Sequence, residues 1–243
     1  MLSILLSTGK TQQRSCLSPL WARIYSLMTS PSTYAIAASG DLRHVLRTIN
    51  SLPQDYSGNI NLVINDISSP TVCRNFLLIL ILGSISDRAL AADVALHFWY
   101  SVFMPVEYRL QMSAAFVAFM KRTTDNGDTL SGAIGPRSTI SLCLPSQWKE
   151  YLNHFVFDSI SMDEAQNEYD RVRTAPSRQD FRDRMYSKLR PSHRVAFQEF
   201  RRFGIVLPFG APNAHFNVPN ASLFSLDGKW LQTDYADPLG GWE

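Results

Sequence analysis

The sequence predicts an α/β fold, in which a doubly wound parallel sheet is followed by a helical, loop-rich C-terminal half. Residues 33–85 alternate two short apolar runs with two helical patterns, which gives the order strand, helix, strand, helix. Connections this short favour a right-handed crossover between parallel strands. The 243 residues, 45% hydrophobic and 18% charged, are enough for a large core and exclude disordered, collagen-like and disulfide-scaffold proteins.

The first two strands are predicted at residues 34–38 and 60–64. The first stops at Ser39-Gly40-Asp41, and apolar residues at positions 42, 45, 46 and 49 then recur at helical spacing. The second stops at Asn65-Asp66, after which Ser68 or Ser69 can cap a helix with Pro70 in its first turn. Residues 72–85 are apolar almost all round, which predicts a buried helix.

The rest of the chain is predicted to be mostly helical. Residues 89–123 have a helical pattern interrupted at Pro105, residues 125–135 are predicted to form a loop, 138–144 a third strand and 148–157 a helix. Residues 163–202 carry ten basic and seven acidic side chains, which predicts two surface helices split near Pro191 with a solvated charged face. The alternative is that a basic helix of this region docks an acidic partner. The last forty residues are rich in Gly, Pro, Asn and aromatic residues, and we expect irregular chain packed on a core.

Composition excludes several classes of site and partner. Cys16, Cys73 and Cys143 are far apart and form no C-x-x-C pair, so no metal site is expected. The net charge is only +2, and the residues after position 40 lack the cationic footprint of a nucleic-acid binder. The longest apolar run, residues 76–85, is about half the length that crosses a bilayer, so no membrane partner is expected.

Three segments are predicted: a leader at residues 1–32, an α/β half at 33–160 and a C-terminal half at 161–243. The leader is serine-rich and free of acids, which is the composition of a mitochondrial transit peptide. The alternative is a poorly ordered leader, or a true start at Met28. We expect a cytoplasmic protein, with a mitochondrial location as the alternative.

A ligand cleft is predicted where the first two strands end. A glycine after the first strand lets a ligand approach the main chain, because a Cβ would fill that volume. An acid about 20 to 25 residues later lies at the tip of the neighbouring strand and accepts ribose hydroxyl hydrogens. Asp66 follows Gly40 by 26 residues. The alternative is that residues 66–69 form only a helix cap.

Several motifs occur together in an order that resembles one family. They are residues 37–43, 63–66, Arg74-Asn75, residues 191–194, 204–210, Pro219-Asn220 and residues 236–239 with Trp242. This run, over residues 33–243, resembles the fungal domain-of-unknown-function family 4470, which is similar to the N-terminal domain of the axonemal dynein assembly factor 3 proteins. The resemblance implies a Rossmann-like domain of the S-adenosylmethionine-dependent methyltransferase type. It also implies that relatives continue past this C-terminus, so we expect a truncated form of a longer protein.

The same resemblance implies a cofactor site. Gly40 and Asp41, with Ser39 beside them, fall where methyltransferases hold the methionine end of S-adenosylmethionine, and Asp66 falls where they hold the ribose. One glycine replaces the usual two or three, and no Asn-Pro-Pro-Tyr type element follows a fourth strand. We therefore expect a binding or assembly module for a protein partner, with a degenerate cofactor cleft and no assigned catalytic residue. The alternative is an active methyltransferase of unknown acceptor.

A third hypothesis is a protein-binding surface formed by residues 203–242. It depends on whether the aromatic residues of this segment are buried or exposed together. The residues that decide it are Phe209, Phe216, Phe224, Trp230 and Trp242.

Overall fold

The computed structural model describes residues 2–8, 33–37, 40, 42–53, 60–125, 129–135, 138–143 and 148–231. The strands are β1 Leu2–Thr8, β2 Thr33–Ala37, β3 Asn61–Asp66, β4 Phe103–Met104, β5 Thr124–Asp125, β6 Thr129–Ile134, β7 Ser138–Cys143 and β8 Val218–Pro219. The α-helices are α1 Arg43–Asn50, α2 Ser69–Ser84, α3 Arg88–Tyr100, α4 Val106–Met120, α5 Trp148–Phe157, α6 Met162–Arg173, α7 Gln179–Lys188 and α8 Pro191–Phe203. Helices hold more of these residues than strands do.

The prediction of a Rossmann-like, doubly wound parallel sheet is wrong. The main sheet has the order β2-β3-β1-β7-β6-β5. Within the described residues, β2 and β3 are its only parallel pair, and all its other neighbours are antiparallel. A doubly wound fold requires parallel strands on both sides of the strand predicted at residues 34–38. That strand is β2, and in this sheet it lies at the edge.

Two segments cause this difference. Residues 2–8, which were assigned to the leader, form β1 and pair antiparallel with both β3 and β7. Residues 129–134, which were predicted to lie in a loop, form β6. Only residues 135–137 connect β6 to β7, and so short a connection permits only an antiparallel pair. Residues 9–32 lie outside the described residues.

The chain divides into two compact units. Unit 1 comprises Met1–Ser86 and Ala114–Leu152, and unit 2 comprises Asp87–Ser113 and Asn153–Glu243. The predicted boundaries at residues 32 and 160 remain predictions.

The core of unit 1 is built around α2, as its sequence predicts. Ser68 caps the helix by accepting the Thr71 N–H, and Pro70 lies in the first turn. Every residue of α2 from Val72 to Ile81 is buried, and the helix contacts β1, β3 and β6. In the described part of the chain no helix combines the length and the apolar character needed to cross a membrane.

Unit 2 has a core of its own. The helical pattern interrupted at Pro105 is confirmed as α3 and α4, and the region predicted to hold two surface helices contains α6, α7 and α8. α6 contributes Ala165, Tyr169 and Val172 to the core, and the irregular chain after α8 contributes Phe216, Leu223, Phe224 and Trp230. Phe209 is 75% exposed, and Trp242 lies outside the described residues. Three of the five aromatic residues in question therefore belong to a core.

Candidate functional site

The parallel pair β2–β3 brings part of the predicted cleft to one edge of the sheet. Ala37 pairs with Asn65, so the carboxyl ends of both strands lie at the same edge. Asp66 is the last residue of β3, and Gly40 follows β2 by three residues. Ser39 and Asp41 lie outside the described residues.

Asp66 begins the turn that leads into α2. Its Oδ1 accepts the Ser68 main-chain N–H at 2.9 Å. Ser68 in turn accepts the Thr71 N–H through its Oγ, at 3.4 Å. These bonds fix the strand-to-helix turn, which is the capping role that the sequence allowed as an alternative.

The surroundings of Gly40 do not require a glycine. Gly40 is exposed, and a Cβ added there would meet nothing within 4 Å. Among the described residues, therefore, no close contact accounts for a glycine at this position. The geometry gives Asp66 a structural role, and cofactor binding by Ser39, Gly40, Asp41 and Asp66 remains a prediction.

Unit 1 also holds two buried polar residues that sequence reasoning did not assign to a site. Arg74 and Asn75, in the first half of α2, are completely buried. Burying a guanidinium costs several kcal/mol unless other groups compensate its charge. The sequence indicates these two residues only as a polar pair that directly precedes the apolar run.

A cleft of about 850 Å³ in unit 2 was not predicted. Its walls are one face of α6, the end of α5 with the residues after it, and the turn at residues 226–229. The lining residues are up to 75 positions apart in the sequence, from His154 to Lys229, so no local motif indicated the cleft. The charged residues that line it are Asp158, Glu164, Glu168, Arg171, Asp227 and Lys229.

Both ring nitrogens of His154, which lines this cleft, lie within hydrogen-bond distance of an oxygen atom. Its Nδ1 lies 3.0 Å from Asp158 Oδ2, and its Nε2 lies 3.2 Å from the Phe224 carbonyl oxygen. The imidazole is buried, whereas the Asp158 side chain is 60% exposed. A general base must contact its substrate, and the His154 imidazole, which would be the base here, is the buried member of the pair. His154 therefore joins α5 to the chain at Phe224 and orients Asp158.

Glu168 ties α6 to the segment around Trp230. Its carboxylate accepts hydrogen bonds from Arg171 Nε at 2.7 Å and from Arg171 Nη2 at 2.6 Å. Oε1 also accepts the Trp230 main-chain N–H at 2.8 Å. The hydrogen bond from Arg171 is the main cause that lowers the pKa of Glu168. Lys229 pairs with Asp227 at 3.1 Å, so the turn at residues 226–229 and α6 each carry an ion pair within their own segment.

The remaining buried polar groups of unit 2 also serve the fold. His97 Nδ1 lies 2.9 Å from Ser101 Oγ, which accepts the Val206 N–H. Burial lowers the pKa of His97 to about 4, opposed by the charge of Asp93. Asn220 holds the end of α3 through its side-chain amide. Among the described residues, no group of three or more His, Cys, Asp or Glu could hold a metal ion.

Comparison with known proteins supports part of the resemblance. Residues 7–104 match the model of the family described as Domain of unknown function (DUF4470). The match covers less than half of the chain, from β1 to β4. No curated protein and no solved structure matches the chain.

Proposed function

We propose that the chain is a binding or assembly module for a protein partner. The observation that supports this proposal is that several polar side chains which could take part in binding or catalysis form hydrogen bonds with main-chain groups of the protein instead. Asp66 accepts an N–H at the start of α2, Glu168 accepts the Trp230 N–H, and Asn220 donates to carbonyls at the end of α3. Groups committed to such bonds stabilise the fold rather than transfer a proton or a methyl group.

The partner is proposed to be a protein rather than a nucleic acid or a membrane. The net charge of +2 on 243 residues is small for a chain that binds a phosphate backbone. Large apolar side chains that are exposed, such as Leu110 and Phe209, offer contacts of the kind that protein interfaces use.

A second candidate is binding of S-adenosylmethionine at the edge of the sheet. One observation favours it: the parallel pair β2–β3 places Gly40 and Asp66 at the same edge. In this candidate Asp66 holds the ribose, and Ser39, Gly40 and Asp41 hold the methionine end.

Calorimetric titration of the whole chain with S-adenosylmethionine and S-adenosylhomocysteine separates the two candidates. The variant Asp66→Asn keeps an oxygen for the Ser68 N–H and removes the charge, so it tests ligand binding without removing the cap. Asp93→Asn, at an exposed position of α3, is the matched control. A binding module gives no heat with any of the three proteins. Micromolar binding, about −8 kcal/mol, that is lost only in Asp66→Asn would overturn the proposal.

A positive result for the proposal is a stoichiometric complex. The tagged chain is purified from its native source, and the complex is resolved by size-exclusion chromatography with light scattering. A partner protein at a fixed molar ratio supports the module, whereas a catalytically active chain without a partner contradicts it.

A further inference from the structure

The helices α7 and α8 form a hairpin that concentrates positive charge. Residues 179–203 contain seven Lys or Arg and three Asp or Glu, whereas the whole chain has a net charge of only +2. The Tyr186 and Phe197 rings, 6.4 Å apart, pack the two helices together. Gln198 Nε2 adds a hydrogen bond to the Tyr186 hydroxyl at 2.8 Å. The positive charge therefore lies on a defined surface of unit 2.

Three cationic side chains and one histidine lie in the second half of α7, in the connection between the helices and in the first turn of α8. We call this set the basic joint: Arg184, Lys188, Arg190 and His193, all of which are exposed. No member forms an ion pair with any residue that the structure describes. Asp183, the nearest acid along α7, is instead 3.4 Å from Arg182.

Arg194 differs from the basic joint because it holds the connection between the two helices, whereas Arg184 of the joint donates only to the Asp180 carbonyl of its own helix, at 3.2 Å. Its Nε donates to the Leu189 carbonyl at 2.9 Å, and its Nη2 donates to the Ser187 carbonyl at 3.1 Å. Its guanidinium also lies 5.5 Å from the centre of the Tyr186 ring. Arg194 thus holds the connection between the helices, and the basic joint is left facing solvent.

The start of α8 adds to the positive potential. Arg190 is the N-cap residue, no side chain caps the helix, and its first turn contains no acid. The N-terminus of a helix carries a partial positive charge, so Arg190 lies where a cation is unfavourable, whereas Lys188, in the last turn of α7, lies where a cation is favoured. Three other helices follow the usual rule, since Ser68, Asp87 and Ser161 cap α2, α3 and α6, whereas α1 begins at Leu42 without a side-chain cap. A breach of a local rule is expected where a binding partner compensates for it.

We propose that the basic joint is the docking surface for an acidic, Asp/Glu-rich segment of a partner protein. This inference rests on the proposed function and names the surface and the chemistry of the partner. Carboxylates complement the charges of Arg184, Lys188 and Arg190 and the start of α8, and screening by salt weakens such contacts. A single-stranded nucleic acid fits less well, because Phe197 and Phe200 are buried and unavailable for base stacking.

The test uses fluorescence anisotropy of the whole chain with a labelled deca-glutamate peptide. The test variant is Lys188→Glu/Arg190→Glu. The control is Arg47→Glu/Arg88→Glu, which reverses two exposed charges on α1 and α3 and changes the net charge equally. Lys188→Gln/Arg190→Gln serves as a milder second variant, and circular dichroism verifies that each protein is folded.

We expect saturable peptide binding that weakens at least about tenfold in both variants of the joint and less than about twofold in the control. Raising the salt concentration should weaken the wild type more than the variants. Equal weakening in joint and control variants would show attraction to net charge alone and overturn the proposal. Tighter binding of a single-stranded oligonucleotide than of the peptide would also overturn it. The calorimetric titration tests the proposed function separately, because Asp66 lies in unit 1 and the basic joint in unit 2.

Discussion

Asn220 holds the last turn of α3 from a position 122 residues away, since its Nδ2 donates to the Phe98 carbonyl at 2.7 Å. The same amide donates to the Ser101 carbonyl at 2.9 Å, and its Oδ1 accepts the Ser222 N–H at 3.2 Å. The residue is 2% exposed, so these bonds are shielded from water. The Pro219-Asn220 motif thus joins a helix end to the irregular C-terminal chain of unit 2.

Replacing this amide should be costly. In Asn220→Asp the carbonyls lose their donor and face a buried carboxylate, so we expect the free energy of unfolding to fall by roughly 3 kcal/mol or more. Asn217→Asp, at an exposed position nearby, should change it by less than about 0.5 kcal/mol. Urea denaturation measures both. Similar losses in the two variants would contradict the capping role.

Gly204 ends α8 in the left-handed conformation, with φ 68°. A Cβ there would lie 2.8 Å from Val102 Cγ2, so Gly204→Ala adds a steric clash to the backbone strain. We expect a loss of about 2–4 kcal/mol in the free energy of unfolding. Gly210→Ala is the control, because its φ is 77° and nothing lies within 4 Å of the added Cβ. It should cost about 1 kcal/mol, and equal costs would show that packing against Val102 is unimportant.

His97 should make unit 2 sensitive to acid. Its folded pKa of about 4 lies below the ordinary value of 6.5 because burial disfavours the charged ring. The unfolded chain therefore binds the proton first, and stability falls as the pH decreases from about 6.5 to 4, by at most about 3 kcal/mol. His97→Asn keeps an acceptor for the Ser101 hydroxyl and does not titrate.

Thermal denaturation across that pH window checks the role of His97. The difference in stability between wild type and His97→Asn should shrink steadily as the pH falls. The exposed His44→Asn should instead follow the wild-type profile. A constant difference between wild type and His97→Asn would show that the ring titrates equally in the folded and unfolded chains.

Glu168 separates the contribution of an ion pair from that of a hydrogen bond to the main chain. Glu168→Gln keeps an oxygen for the Trp230 N–H and weakens the pair with Arg171, whose side chain is 65% exposed. We expect a loss below about 1 kcal/mol, because exposed ion pairs contribute little. Glu168→Ala also leaves the main-chain N–H of Trp230 without the acceptor of a partly buried hydrogen bond and should cost roughly 1–2 kcal/mol more. Chemical denaturation of both variants is the measurement, and equal losses would contradict this division.

The local elements were largely predictable. Apolar spacing and turn residues located β2, α1, β3 and α2, and Pro105 marked the boundary between α3 and α4. Ser68 and Pro70 indicated the start of α2 because a cap and a ring-locked φ act within one helical turn. Such features depend on neighbours in sequence, so the sequence displays them directly.

The arrangement of the sheet was not predictable in the same way. Any strand can form main-chain hydrogen bonds with many other strands, so its residues do not specify its neighbour in the sheet. The antiparallel pairing of β1 with β3 and β7 therefore has no local sequence signature. The glycine at position 132 made the sequence of β6 resemble a loop. In the structure a Cβ at this position would lie 2.7 Å from the Phe119 ring. A close approach between helix and strand, rather than a turn, accounts for that glycine.

The candidate sites show the same division. The sequence alone identified Asp66 and Gly40 and the concentration of charge in residues 163–202, because residue type and spacing carry that information. The tertiary structure decided that Asp66 caps a turn, that Asn220 caps α3, and that Arg194 is bound internally while Lys188 and Arg190 face solvent. The physical reason is that hydrogen bonds and burial depend on distances between segments far apart in the chain, and folding alone sets those distances.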